Sequence, residues 1–152
     1  MVKANWVVAA IFAFLTPSAM ADADIAAGMI KVSKGQVSIL RAGVMLAGTV
    51  GARVYAADKI RTGANGSVGI SLKDNTLLSA GPDSAISLDK FTFNRSTHAG
   101  AMSVGIKRGT LSVATGKIAK QTPESVDFHT PSSILGVRGT EFAIEVIANE
   151  DE

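Results

Sequence analysis

The sequence has no cysteine among its 152 residues. This absence excludes disulfide bonds, thiolate zinc sites, cysteine nucleophiles and iron–sulfur ligation. Aromatic residues are also few, with six Phe, one Tyr and one Trp, so a core must be built mostly from Val, Ile and Leu. No charge sign dominates, because 15 basic residues face 13 acidic ones, whereas nucleic-acid-binding domains usually carry a larger and more clustered basic excess. A hydrophobic content of 47% excludes a disordered chain, and the length indicates one domain.

Long apolar runs are absent too, since the longest, Trp6–Leu15, has ten residues. Ten residues of helix measure about 15 Å, half of a bilayer core, so this run is too short to span a membrane. Lys3 precedes the run and Ala19-Met20-Ala21 follows it, which is the order of a secretory signal peptide and its cleavage site. We therefore predict a signal peptide over residues 1–21 that is cleaved after Ala21. The mature chain is then periplasmic or secreted, and we expect no membrane span after cleavage.

Apolar residues alternate with small or polar residues along most of the mature chain. The clearest case is Ser67–Leu72, in which Val68, Ile70 and Leu72 alternate with serine and glycine. Similar runs lie at 86–89, 91–93, 102–107, 111–113 and 141–146. A period of two places the apolar side chains on one face of a β-strand. The sequence therefore predicts an all-β fold of many short strands in a sandwich or flattened β-roll. We assign residues 22–148 to this single domain and residues 149–152 to an acidic tail.

Glycine-containing turn signals, among them Arg108-Gly109, separate these runs. The strongest is Asn65-Gly66, which favours a type I′ hairpin joining a strand at Asp58–Thr62 to the strand at Ser67–Leu72. No stretch has the periodicity of a longer amphipathic helix. At most one short helical turn is expected, after Thr130-Pro131, because Thr can cap a helix and Pro is favoured at its first position.

Residues with catalytic or metal-binding chemistry are sparse and poorly grouped. His98 falls in a polar connection and His129 on a strand, and neither belongs to a metal-ligand spacing, so we interpret both as surface histidines. No serine lies in a nucleophile-elbow motif. Asp58 and Asp74 lie near strand ends, where aspartate usually makes turn and capping hydrogen bonds. We therefore predict a non-enzymatic protein with no cofactor and no metal.

A basic segment runs from Lys90 to Pro123 without any acidic residue. Its six basic residues are Lys90, Arg95, Lys107, Arg108, Lys117 and Lys120. One interpretation is a patch that binds an anionic glycan, a lipid headgroup or an acidic protein face. The other, which we favour, is a set of solvated strand faces and turns. Export argues against DNA or RNA as a partner, and the segment lacks the interleaved aromatic residues of single-strand binders.

The densest cluster of special residues lies in the segment Thr130–Phe142, TPSSILGVRGTEF. The candidate residues in it are Thr130, Pro131, Gly136, Arg138, Gly139, Thr140 and Glu141. The glycines permit close backbone approach or positive φ, and Arg138 is expected to pair with a carboxylate of Glu141, Asp58 or Asp74. We favour a structural role, in which this pair fixes the last strand. The alternative is a binding site that offers the guanidinium fork and a hydroxyl group.

Short motifs follow one another along the mature chain in a recognisable order. They are Gly35-Gln36-Val37, Arg41-x-Gly43, Asp58–Gly63, Gly66–Asp74, Leu77–Ser84, Gly109-Thr110-Leu111, Thr130-Pro131 and Gly136–Phe142. In this order they resemble the motifs of the FecR-like domain. The resemblance covers nearly all of residues 28–147, and Gly136–Phe142 is its most specific part.

The resemblance implies an all-β periplasmic domain of bacteria. Full-length FecR-type regulators add a cytoplasmic segment that contacts a sigma factor, a membrane helix, and a domain that meets a transporter's signalling module. This chain departs from that pattern in its cleavable signal and its lack of a membrane helix. We therefore expect a non-catalytic interaction module of the cell envelope that binds another envelope protein or an anionic cell-wall glycan. The alternative is a component of a FecR-type signalling relay that acts through a membrane-spanning partner.

Overall fold

The computed structural model describes residues 25–147, so the predicted signal peptide and acidic tail lie outside the described residues. The described chain forms twelve strands, one helical turn and one 3-10 turn. The strands are β1 (Gly28–Lys34), β2 (Val37–Arg41), β3 (Val44–Ala47), β4 (Arg53–Val54), β5 (Lys59–Thr62), β6 (Ser67–Leu72), β7 (Leu77–Ala80), β8 (Ala85–Phe93), β9 (Gly100–Ala114), β10 (Val126–His129), β11 (Ile134–Gly136) and β12 (Glu141–Val146). The helical turn α1 is Lys117–Gln121, and the 3-10 turn is Pro123–Ser125. The predicted all-β fold is confirmed.

The strands form one sheet that is curled into two facing layers. Sheet A has the order β4-β1-β6-β7-β9-β12, and sheet B has the order β3-β2-β5-β8-β9-β10-β11. Strand β9 belongs to both layers, since its first half pairs with β8 and β10 and its second half with β7 and β12. The pairing of β9 with β10 is parallel, from Met102↔Val126 to Gly105↔His129, and the other described pairings are antiparallel.

The change of layer within β9 lies at Gly109, whose φ of 90° is accessible mainly to glycine. A Cβ atom at this position would lie 2.1 Å from Ser84 Oγ and 2.5 Å from Ser84 Cα. The chain can therefore approach Ser84 here only because Gly109 has no side chain. Arg108-Gly109 is a bend inside one long strand, and not the turn between two strands that its composition suggested.

The turn at Gly63–Gly66 connects the two layers and does not close a hairpin. Gly66 N donates to Gly63 O at 2.9 Å, but β5 pairs with β2 and β8 in sheet B, whereas β6 pairs with β1 and β7 in sheet A. The predicted hairpin is therefore wrong. The physical reason is packing, because Ile60 of β5 and Ile70 of β6 line the same interior space from opposite layers. The chain between β5 and β6 must therefore pass from one layer to the other.

The core lies between the layers and is mostly aliphatic, as the scarcity of aromatic residues predicts. Sheet A contributes Ile30, Val68, Ile70, Leu72, Leu78, Leu111, Val113 and Ile144, and sheet B contributes Ile39, Ile60, Ile86, Leu88, Met102, Val104, Ile106, Val126 and Phe128. Phe128 is the one aromatic of the described chain that is fully buried. It packs edge-to-face on Phe142 with the ring centroids 5.0 Å apart, a geometry that aromatic pairs prefer.

The helical turn lies at Lys117–Gln121, and the one expected after Thr130 does not form. Thr130 N donates to Ser133 O at 2.8 Å, which closes a tight turn, and the chain then enters β11. The turn α1 forms elsewhere because buried Asp74 accepts hydrogen bonds from its first amides. The Asp74 main-chain oxygen accepts from Lys117 N at 2.8 Å, and Asp74 Oδ2 accepts from Ile118 N at 3.3 Å.

Candidate interaction surfaces

The segment Thr130–Glu141 is exposed over almost its whole length. Strand β11 pairs with β10 through Leu135↔Phe128 and its neighbours, and its other edge has no partner in residues 25–147. Ile134 is 79% exposed and Leu135 is 38% exposed. An edge strand that combines unpaired backbone groups with exposed apolar side chains can accept an additional strand from another chain.

A few contacts at its base hold this segment on the domain. Val137 is buried, Thr115 N donates to Thr140 O at 2.8 Å, and Thr115 Oγ1 donates to Gly139 O at 2.9 Å. Gly139 has a φ of 146°, and a Cβ atom at this position would meet nothing within 4 Å. The backbone is therefore fixed at Val137 and Thr140, while the Arg138 side chain between them stays in solvent.

The predicted pairing of Arg138 is not found in the described part of the chain. No Asp or Glu of residues 25–147 forms an ion pair with it within 4.0 Å. Two of the three candidate partners already have other donors, because Arg41 binds Asp58 and Thr76 binds Asp74. Glu141, the third, is exposed. The structural role favoured for Arg138 thus loses its basis, and the role of the segment as a binding site stays a prediction.

The six residues of the candidate basic patch do not form one surface. Arg95 lies in the β8–β9 connection and Lys117 and Lys120 lie on α1, close to the start of β9, where Thr122 Oγ1 donates to Gly100 O at 2.9 Å. Lys107 and Arg108 lie seven and eight residues beyond Gly100 on β9, which corresponds to about 24–27 Å of strand. Lys90 lies on β8 opposite Ser103, between these two groups. The single patch is therefore wrong, because an extended strand separates residues that are near in sequence.

An ion pair between the half-exposed Arg41 and the buried Asp58 joins β2 to the β4–β5 connection. Arg41 Nε and Nη2 each donate to one oxygen of the Asp58 carboxylate at 2.8 Å, and Tyr55 N donates to Asp58 Oδ2 at 2.9 Å. The guanidinium also lies over the Tyr55 ring, with its carbon 4.5 Å from the ring centroid. The hydrogen bonds and charge of Asp58 raise the pKa of Arg41. The turn role predicted for Asp58 is confirmed by the Tyr55 contact, and the ion pair is an addition that the sequence did not indicate.

A second polar cluster lies on the outer face of sheet B around His129. Its Nε2 lies 2.9 Å from Asp89 Oδ2 and its Nδ1 lies 3.5 Å from Asp127 Oδ2, while Ser103 Oγ donates to the same Asp127 oxygen at 2.8 Å. The two carboxylates face different ring nitrogens and do not converge on a point that a metal could occupy. A Cβ atom on Gly105 would lie 2.7 Å from His129 Nε2, so this glycine makes room for the ring. The cluster ties β8, β9 and β10 together.

Sequence reasoning missed β11, the Arg41–Asp58 pair and the His129 cluster. Arg41 and Asp58 are 17 residues apart, and no spacing rule connects them. A weak signal existed for the third, since Asp127 and His129 are two residues apart and therefore share a strand face. Within residues 25–147 neither helical segment has the length and hydrophobicity needed to cross a membrane.

The fold and these surfaces define a two-layer β domain with an exposed edge strand, β11, that is followed by a glycine–arginine segment. The family model described as FecR protein matches residues 58–152, which is more than half of the chain. The chain therefore belongs to the FecR family, and the match includes the Gly136–Phe142 motif. No curated protein and no solved structure gave a match. Membership in this family of non-enzymatic signalling regulators indicates a FecR-type regulatory or signalling role that depends on contacts between proteins.

Proposed function

We propose that this chain is a non-catalytic interaction domain that is exported to the cell envelope, where it binds another envelope protein through β11 and the segment Gly136–Glu141. The observation that carries the proposal is the edge of β11, which has no partner strand within residues 25–147 and at which Ile134 is 79% exposed. Stable domains usually protect such edges with charges, prolines or covering loops. An apolar edge left open in a family of signalling regulators favours a partner that completes the sheet.

The binding mode that fits this edge is strand addition. An extended partner segment hydrogen-bonds to the free backbone groups of β11, and side chains on alternate positions give specificity. The exposed Ile134 offers an apolar contact. Arg138 offers a guanidinium that forms no ion pair with a carboxylate of residues 25–147. The matching partner segment is a strand with an apolar side chain beside Ile134 and an Asp or Glu within reach of Arg138.

Among the strands that the structure describes, β3 forms a second open edge of sheet B, with Val44 58% and Met45 55% exposed. The family match begins at Asp58 and so includes β11 but leaves out β3. A binding function that belongs to the family is therefore expected at β11. This difference makes β3 the internal control for any test.

The second candidate function is a component of a FecR-type relay, in which the partner spans the cytoplasmic membrane and carries the signal onward. Family membership favours it. Both functions use the same surface, and they differ in the identity of the bound protein.

A photo-crosslinking amino acid at position 134, compared with one at position 45, tests the proposal in cells that make the protein at its natural level. We expect a discrete protein adduct from position 134 and none from position 45. The adduct from position 134 should disappear when Arg138→Glu reverses the charge. Mass spectrometry of the adduct decides between the two functions, because the relay requires a membrane-spanning partner. Adducts from position 45 only, from both positions equally, or from neither would contradict the proposal.

Export is tested separately. N-terminal sequencing of the protein from the envelope fraction should begin at Asp22, as the predicted cleavage site requires. An intact Met1 recovered from the cytoplasm would contradict both the signal peptide and the envelope location.

A further inference from the structure

Three basic side chains surround a shallow depression on the outer face of sheet B. The depression has a volume of about 260 Å³ and is lined by Lys59, Arg61, Ala85, Ile86, Ser87 and Lys107. It lies on β5, β8 and β9, in the middle of the sheet, whereas β11 forms the edge beyond β10. Only Lys107 among the basic residues of the Lys90–Pro123 segment takes part.

The strand alternation explains why these side chains share one face. Ile60 and Thr62 of β5 are buried in the core, so Lys59 and Arg61 between them point outward. On β9 the buried Ile106 precedes Lys107, which also points outward. The register of β8 and β9 shifts between Ala85 and Ile86, and such bulges re-aim side chains at one point of a sheet.

The floor of the depression is low because β8 presents small residues here. Ser87 lies opposite Lys59, and Ala85 lies opposite Arg61. Long basic side chains from β5 and β9 therefore rise on both sides of a strip that carries only a methyl and a hydroxymethyl group. Neighbouring strands are about 4.8 Å apart, so the two basic rows are separated by about twice that distance, a gap that a small anionic group can bridge.

The three cations form no ion pair within the described residues. No Asp or Glu of residues 25–147 forms an ion pair with Lys59, Arg61 or Lys107 within 4.0 Å. The like charges of Lys59 and Arg61 on β5 and of Lys107 on β9 repel each other across β8. A bound anion would remove this repulsion, and Ser87 could donate a hydrogen bond to it.

We propose that this depression binds an anionic sugar residue, such as a uronate, of an acidic glycan. The other sources of negative charge fit the surface less well. Stable membrane binding usually adds protruding apolar or aromatic side chains to the cations, whereas the apolar residues of this lining are the small Ala85 and the buried Ile86. An acidic protein face would extend far beyond the depression and would meet the carboxylates of Asp89 and Asp127 on the same sheet face. A sugar segment seated on Lys59, Arg61 and Lys107 has a smaller footprint, with Asp89 at its margin beside Ser87.

Binding is measured by isothermal titration calorimetry and by amide chemical shifts of the purified chain, with tetragalacturonate as the probe. The neutral tetrasaccharide maltotetraose is the control ligand. We expect saturable binding of tetragalacturonate alone, with the largest shifts at Ser87, Gly105 and Lys107. Because each charged hydrogen bond contributes enough for roughly a tenfold change in affinity, Lys59→Gln/Arg61→Gln/Lys107→Gln should weaken binding at least about tenfold.

A matched variant removes three positive charges from elsewhere on the domain, Lys31→Gln/Arg95→Gln/Lys120→Gln, and should bind within about twofold of the wild type, since net charge alone has little local effect across a Debye length. Equal loss in both triple variants would overturn the proposal, as would shifts that map away from the depression in the wild-type protein. Stronger binding to polyglutamate or to phosphatidylglycerol vesicles than to tetragalacturonate would also overturn it and assign the site to a protein or a membrane. The outcome does not depend on β11, whose variants leave this depression unchanged.

Discussion

Replacing Arg41 with alanine leaves the buried Asp58 carboxylate without its cation. The resulting loss in the free energy of unfolding can be worked out from the geometry. Asp58 has a side chain that is 1% exposed, and Arg41 supplies two of its hydrogen bonds at 2.8 Å. After Arg41→Ala, the amide of Tyr55 is the one hydrogen-bond donor that the Asp58 carboxylate keeps among residues 25–147. Removing one partner of a buried pair costs about 3–5 kcal/mol. Arg41 itself is 36% exposed, so water can reach the vacated position, and we expect a cost near the lower limit, about 3 kcal/mol.

The expected loss is large compared with the free energy of unfolding of a small domain, about 5–15 kcal/mol. Urea denaturation followed by circular dichroism measures it directly. With an m-value of roughly 1–3 kcal/mol/M, the midpoint should fall by about 1–3 M while m stays unchanged. Arg41→Lys should recover part of the loss, because lysine restores the charge but not the two-pronged hydrogen bonding.

Two further variants test whether the buried carboxylate causes the effect. Asp58→Asn leaves the more exposed Arg41 unpaired and keeps an oxygen for Tyr55 N, so it should cost less than Arg41→Ala. Arg95→Ala removes an exposed arginine from the β8–β9 connection and should change stability by less than about 0.5 kcal/mol. An Arg41→Ala protein as stable as Arg95→Ala would refute the reasoning.

The raised pKa of Arg41 also determines in which direction the stabilisation by this ion pair changes at alkaline pH. The pKa is raised in the folded state by the hydrogen bonds and charge of Asp58. With Asp58 ionised, the stabilisation is therefore complete at neutral and mildly alkaline pH and is lost as the pH rises through the higher folded value. The difference between wild type and Arg41→Ala should thus stay constant from about pH 7 to about pH 10. A decline in this range would contradict the assignment.

Three other substitutions have expected outcomes that urea denaturation can check. Gly109→Ala should destabilise the fold severely, because its Cβ atom would overlap Ser84. Gly43 has a φ of 79° and nothing within 4 Å of a Cβ atom, so Gly43→Ala should cost only the positive-φ strain of about 1–2 kcal/mol. Equal costs for the two variants would contradict the steric argument. Phe128→Ala should cost about 3–5 kcal/mol, as large core truncations do, and a cost under 1 kcal/mol would show that Phe128 is not packed as described. Arg138→Ala should change the free energy of unfolding by less than about 0.5 kcal/mol, and a larger loss would restore the structural role first favoured for it.

The segment Gly136–Glu141 shows which of its properties could be predicted from local sequence and which could not. The composition of Gly136–Glu141 marked it as special, and it does lie in the exposed stretch that follows the open edge strand. The partner expected for Arg138 was wrong, because the pairing of a side chain depends on which strands the fold brings beside it. Asp58 was a candidate partner in sequence, but β2 places Arg41 closer to it.

Strand identity and face were determined by the sequence itself. Alternation has a period of two along the chain, so Val68, Ile70 and Leu72, or Met102, Val104 and Ile106, could be assigned to the core without knowing their neighbours, and all six are buried. The aliphatic character of the core follows in the same way from the composition. These properties belong to single residues and short segments, which is why the sequence alone predicts them.

Strand partners and layers were decided only by the tertiary structure. Asn65-Gly66 has the composition of a hairpin turn, but the chain crosses from sheet B to sheet A there, because Ile60 and Ile70 bury their side chains from opposite sides of one core. The same long-range packing brings Asp89 beside His129 and places Lys107 across β8 from Lys59. Such contacts have no local period, since they depend on the free energy of burying the whole apolar surface at once.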